Sequence, residues 1–210
     1  MQQEPKRTSF SGWPLLAITS SLLLAMAVAI VAAMPGVDGM RMLIRATART
    51  SLLFFLAAFV AQAADTLWAS AATRWLCANR RTLGLSFAVS HAIHALAIYA
   101  LAQADPALFM QLTGPASYII GGLGYAFILA MAATSFDRSA QWLGPRAWKL
   151  LHASGMAYLW IAFTASVGKR LGQGPFYIFV FTLLAAALAL RVAARIKRSR
   201  APGPAARSLP

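Results

Sequence analysis

The sequence predicts an all-α membrane protein, a six-helix transmembrane bundle with both termini cytoplasmic. Its composition is the first reason: 60% of the 210 residues are hydrophobic and only 11% are charged. A soluble domain averages about 45–50% apolar and about 25% charged residues. The second reason is six apolar runs, since a membrane-spanning helix needs about 20 such residues. The runs are residues 13–34, 44–64, 82–102, 116–134, 147–167 and 176–194.

The first run follows a short segment, residues 1–12, and ends at Pro35-Gly36. The apolar core of a cleaved signal peptide is typically about 7–15 residues. Because this run is longer, we expect it to be retained as the first helix. The second run has Arg45 and Arg49 in its first turns, and their long side chains can snorkel to the lipid headgroups.

The third run begins just after Arg80 and Arg81, and the fourth contains Gly121, Gly122 and Gly124. Such small residues allow another helix or a flat ligand to approach closely. The sixth run closes a bundle of residues 13–195. The remaining segment, 196–210, is basic and rich in Pro, Ala and Ser, so we predict a disordered cytoplasmic tail near anionic lipid headgroups.

The distribution of basic residues predicts the orientation. Fourteen of the nineteen Lys and Arg residues fall in the segments that share a side with the N-terminus. Because Lys and Arg are enriched in cytoplasmic loops, both termini are predicted to be cytoplasmic. The net charge of +14 therefore reports topology, and no nucleic-acid partner is expected.

The sequence argues against several kinds of cofactor site. The single cysteine, Cys77, excludes an internal disulfide and any four-cysteine metal or iron–sulfur site. No connection between spans is long enough to fold a flavin or nucleotide domain, and no catalytic residue is predicted. Any activity must lie in the bilayer or depend on partners, with membrane lipid as one of them.

Three histidines are the only titratable candidates deep in the predicted spans: His91 and His94 in the third, and His152 in the fifth. Two imidazoles from separate helices can hold a b-type haem between them. Counted from Arg81 and Arg146, His91 lies about 15 Å deep and His152 about 9 Å. Depth therefore favours His91 as the partner of His152. His91 and His94 share a helix face and cannot clamp one haem.

Simpler interpretations stand beside this one. The histidines could join helices as structural hydrogen-bonding groups in a non-redox transporter or assembly subunit, and a zinc site is a weaker alternative. Four basic residues at the cytoplasmic ends of the third and fifth spans could pair with haem propionates or simply mark the inner side. They are Arg80, Arg81, Arg146 and Lys149.

Two motifs resemble the ferric reductase-like transmembrane domain family over roughly residues 43–167. The first reads Arg-Arg-x-Leu-Gly-Leu from Arg80, with His94 nine residues after it, and the second is the Leu-His that ends at His152. The family includes the haem-binding membrane subunit of the bacterial periplasmic methionine-sulfoxide reductase system. The alignment pairs His94 with His152, so the choice between His91 and His94 stays open.

The resemblance implies a b-type haem protein of the bacterial inner membrane that relays electrons to an acceptor in or across the membrane. Because this chain has no flavin domain, a separate flavin- or nicotinamide-dependent reductase is implied as the donor. Family members often carry a second histidine about 13 residues after the first in the fifth helix. Here that region reads Phe-Thr-Ala-Ser from Phe163, so one haem b is expected.

Overall fold

The computed structural model describes residues 11–200, which form nine α-helices and one 3-10 turn with no strand among them. The helices are α1 (Trp13–Ala33), α2 (Val37–Trp68), α3 (Ala71–Ala78), α4 (Arg80–Ala104), α5 (Pro106–Leu112), α6 (Pro115–Ala133), α7 (Asp137–Leu143), α8 (Pro145–Gly168) and α9 (Pro175–Arg200). Most of the predicted terminal segments, residues 1–10 and 201–210, lie outside the described range.

Six of these helices, α1, α2, α4, α6, α8 and α9, are long and apolar enough to cross a membrane. This confirms the predicted all-α, six-span architecture of a multi-pass membrane protein. Successive spans alternate in direction, so the described termini lie at the same end of the bundle. We call this the proximal end, which also holds α3 and α7, and the other the distal end, which holds α5 and the 3-10 turn Leu171–Gln173.

Two helix boundaries differ from the prediction. The second span is a 32-residue helix that begins at Val37, so Arg45 and Arg49 lie in its interior rather than in its first turns. The sixth span continues to Arg200, so residues 196–200 are helical, where the sequence predicted disorder. Lys197 explains the second difference, because its ammonium donates to the carbonyl of Thr66 at 2.9 Å and ties α9 to the end of α2.

The interface between α2 and α4 is the most extensive in the bundle, and it is built on hydroxyl groups. Ser90 of α4 bonds to two hydroxyls of α2, those of Ser51 at 2.9 Å and Thr50 at 2.8 Å. A similar pair joins α4 to α1, where Ser86 lies 2.7 Å from Thr19. Ser51, Ser86 and Ser90 are fully buried. Small polar side chains let the helix backbones approach while each hydroxyl finds a partner, as membrane helix interfaces require.

Aromatic packing joins this pair of helices to the rest of the bundle. Phe55 of α2 contacts Phe87 of α4 and Phe163 of α8, with ring centroids 5.8 and 5.1 Å apart. Gly155 brings α6 and α8 together, since a Cβ at this position would lie 2.7 Å from the sulfur of Met131. The spans thus enclose a core in which α4, α6 and α8 lie side by side.

Candidate functional site

A cavity of about 250 Å³ lies in the proximal half of the bundle, among α2, α4, α6, α7 and α8. Its walls are mostly apolar, and His152 is the one histidine that lines it. Gly84 leaves the α4 wall open, because a Cβ there would meet nothing within 4 Å. The apolar lining comes mainly from Phe55, Phe87, Ile128, Met131, Trp148 and Met156.

His152 is held in one orientation by residues around the α6–α7 connection. Its Nε2 lies 3.1 Å from the hydroxyl of Thr134, which itself donates to the carbonyl of Ala130 at 2.7 Å. The Thr134 hydroxyl therefore links the imidazole to the end of α6. Trp148 stacks on the imidazole at 4.1 Å and donates to the carbonyl of Thr134 at 2.9 Å.

Two of the four predicted basic residues line the cavity at its proximal mouth: Arg80 and Arg81. Arg81 forms an ion pair with Asp137 of α7 at 2.9 Å, and its guanidinium lies over the rings of Trp13 and Phe136. Arg146 and Lys149 begin the same helix as His152 but are not part of the lining. The four predicted basic residues therefore fall into two pairs: Arg80 and Arg81 line the cavity, whereas Arg146 and Lys149 lie outside its lining.

His94 lies in the distal half, fixed by the backbone and side chains of α2. Its Nδ1 is 3.0 Å from both the carbonyl of Ile44 and the hydroxyl of Thr47. Thr47 donates its own proton to the carbonyl of Leu43 at 2.6 Å, so Nδ1 must be the donor to both oxygens. Nε2 of His94 is consequently left with its lone pair, the state in which a histidine can bind a metal.

His91 occupies an aromatic environment beside His94. Its ring lies 5.1 Å from those of His94 and Tyr125, 5.2 Å from Phe87 and 6.3 Å from Phe163. The Nδ1 of His91 and the hydroxyl of Tyr125 are buried, and neither has a hydrogen-bond partner in the part of the chain that the structure describes.

The histidines lie at two different levels of the bundle. His91 contacts Phe163, which is eleven residues beyond His152 on α8, or about 16 Å of helix rise. It also contacts Tyr125, nine residues before the Thr134 that bonds His152, or about 13 Å. The sequence had predicted a depth difference of only about 6 Å. The prediction assumed that Arg81 and Arg146 lie at the same depth. In the structure His152 itself lies near the level of Arg80 and Arg81, because all three line one cavity, and Arg146 lies farther toward the proximal end.

In this arrangement neither His91 nor His94 faces His152 across a shared cavity. Within residues 11–200, no three His, Cys, Asp or Glu side chains come together, so the three histidines do not form the alternative zinc site. The sequence predicted His152, Arg80 and Arg81 as site residues, and all three line the cavity, but it did not indicate that Thr47, Thr134 and Trp148 contact the imidazoles. Their partners come from other helices, and no sequence spacing encodes those pairings.

The chain matches no family model, no curated protein and no solved structure. The resemblance to the ferric reductase-like family therefore rests on the motif residues alone.

Proposed function

We propose that this protein is a membrane-embedded b-type haem protein that relays electrons from a separate flavin- or nicotinamide-dependent reductase to an acceptor in or across the membrane. One observation carries the proposal: an apolar cavity inside the bundle holds one imidazole, His152, and has two guanidinium groups at its mouth. That donor set suits a flat, largely apolar group with anionic substituents. A porphyrin with its propionates has this chemistry.

In this proposal each cavity residue has a role. His152 would hold the haem iron, Arg80 and Arg81 would pair with the propionates, and the apolar side chains would exclude water. A haem bound there supplies one-electron chemistry at its iron, while the protein sets orientation and electrostatics. Because Nε2 of His152 is hydrogen-bonded to Thr134, ligation through that nitrogen requires this bond to open. His91 and His94 lie outside the cavity lining and are not assigned to this site.

The proposed orientation places the cavity where a soluble reductase could reach it. Fourteen of nineteen basic residues lie in segments on the side of the N-terminus, which is the proximal end, and basic residues favour the cytoplasm. We therefore propose that the proximal end is cytoplasmic and that the membrane is a bacterial inner membrane. Electrons would then enter at the cytoplasmic mouth beside Arg80 and Arg81.

A specific observation favours a second candidate, a non-redox transporter or assembly subunit. His94 and His152 each bond to oxygens outside their own helix, at Ile44, Thr47 and Thr134. Such bonds join helices without any cofactor. The two candidates differ in whether the cavity takes up haem.

The deciding experiment is a reduced-minus-oxidised absorption spectrum of the protein, expressed with haem supplied and purified in mild detergent. We expect a reduced α-band and a Soret band that the His152→Ala variant loses. His91→Ala is the matched control and should keep both bands, because His91 does not line the cavity. A wild-type protein without haem would favour the second candidate. Loss of haem in His91→Ala but not in His152→Ala would refute the assignment of the ligand.

A further inference from the structure

An apolar groove of about 470 Å³ runs along the outside of the bundle between α8 and α9. At the distal end the two helices pack tightly through Val167, Val180 and Leu184. Toward the proximal end α9 presents Ala185, Ala189 and Ala193, whose small side chains leave the space between the helices unfilled. The rest of the lining is Trp160, Thr164, Phe181, Leu188, Val192 and Ile196.

The side chains that line the groove offer a polar ligand no free hydrogen-bond donor. The indole nitrogen of Trp160 already donates to the carbonyl of Leu184 at 3.0 Å. The hydroxyl of Thr164 donates to the carbonyl of Trp160 at 2.8 Å. Because a polar group placed here would find only the hydroxyl oxygen of Thr164 in exchange for its hydrogen bonds to water, the groove suits a hydrocarbon occupant.

The dimensions of the groove match a lipid chain. Its lining on α9 extends from Phe181 to Ile196, about 22 Å of helix rise. One leaflet is about half of a hydrocarbon core about 30 Å thick, so a tilted acyl chain can follow most of this length.

Positive charge lies where the headgroup of such a lipid would be. Arg200 is exposed and comes four residues after Ile196, on the same face of α9. Lys149 is also exposed and comes eleven residues before Trp160, three turns away on the same face of α8. The proximal mouth of the groove thus has a basic side chain on each of its two helices.

We propose that this groove binds an acyl chain of an anionic phospholipid, whose headgroup interacts with Arg200 and Lys149. The lipid fills the gap between α8 and α9 and completes the packing of the bundle. A second copy of the chain is a poorer occupant on grounds of charge. Two copies that meet along this face would bring the basic proximal ends of two α9 helices together, and these would repel each other. An anionic headgroup instead neutralises the positive charge of one such end. These ends carry Arg195, Lys197, Arg198 and Arg200.

The test is native mass spectrometry of the full chain, released from nanodiscs with equal amounts of phosphatidylglycerol and phosphatidylcholine. Wild type should retain phosphatidylglycerol in preference. Arg200→Gln and Lys149→Gln should each reduce this preference about fivefold, which corresponds to about 1 kcal/mol per basic residue at an anionic surface. Arg198→Gln removes the same charge from another face of α9, where Arg198 donates to Ala194, and should leave the preference unchanged.

The groove itself is tested by filling it. Ala189→Phe should abolish retention of the lipid, while Ala186→Phe is the control because Ala186 is exposed on the same helix outside the lining. Equal retention of both lipids by wild type, or full retention by Ala189→Phe, would overturn the proposal. So would a wild-type dimer that Ala189→Phe converts to a monomer, since the groove would then hold a second copy. Should Ala189→Phe fail to fold, the comparison of Arg200→Gln with Arg198→Gln decides.

Discussion

Thr47 and Thr134 make the same local hydrogen bond, from the hydroxyl to a carbonyl one helical turn earlier. The carbonyl belongs to Leu43 for Thr47 and to Ala130 for Thr134. Each hydroxyl oxygen also lies within hydrogen-bond distance of an imidazole nitrogen. His94 bonds to Thr47 through Nδ1, whereas His152 bonds to Thr134 through Nε2, so the two rings present different nitrogens to their threonines. Two histidines that look equivalent in the sequence are therefore chemically different in the fold.

The role of Thr47 predicts a measurable cost of removing its hydroxyl. Thr47→Val keeps the shape of the side chain but leaves the Nδ1 proton of His94 with the Ile44 carbonyl alone. A lost buried hydrogen bond costs about 1 kcal/mol, so the Tm in detergent should fall by about 2–4 °C. Thr182→Val is the control, since Thr182 is exposed and bonds only within its own helix. An unchanged Tm in Thr47→Val would show that Thr47 does not stabilise the ring.

At the level of helices, the prediction was accurate for the number of spans and inaccurate at two of their ends. The runs were found because a span must be apolar for about 20 residues. Charged residues interrupt the extensions of α2 and α9, at Asp38 and Arg41 in α2 and from Arg195 onward in α9, so no continuous apolar run marks them. Contacts between helices, such as the bond from Lys197 to the carbonyl of Thr66, stabilise such extensions.

The contact between α6 and α8 depends on Gly155, which predicts the effect of a larger side chain. A Cβ at Gly155 would lie 2.7 Å from the Met131 sulfur and 3.1 Å from the Phe127 ring. Gly155→Leu should therefore push the helices apart and destabilise the fold by about 1–3 kcal/mol, measured as a lower Tm. Gly122→Leu is the control, because nothing lies within 4 Å of a Cβ there. Equal Tm values for the two variants would contradict this account of the helix contact.

Considered as a whole, the bundle separates its polar groups by level. The proximal half holds the cavity with His152, Arg80 and Arg81, and His91, His94 and Tyr125 lie farther toward the distal end in an aromatic environment. Phe87 lies between them, since it lines the cavity and contacts His91. The fold thus provides one open site and one closed cluster.

The proposed orientation predicts which end of the bundle a membrane-impermeant reagent reaches. Cys77 lies in α3 at the proximal end and is the single cysteine of the chain. A charged maleimide should label it only after the cells are permeabilised. In a Cys77→Ser background, Gln173→Cys at the distal end should react in intact spheroplasts. The reverse pattern would place the proximal end outside and refute the proposed topology.

The sequence by itself determined the number of spans, their alternation and the few polar groups they carry, because the bilayer imposes a minimum apolar length on any helix that crosses it. Only the tertiary structure decided that His152 lines a cavity and that His91 and His94 lie more than two helical turns away. The depth of a side chain depends on where each helix begins relative to its neighbours. That offset is set by contacts between distant residues, such as Thr134 with His152 or Phe163 with His91, and no spacing along the chain records it.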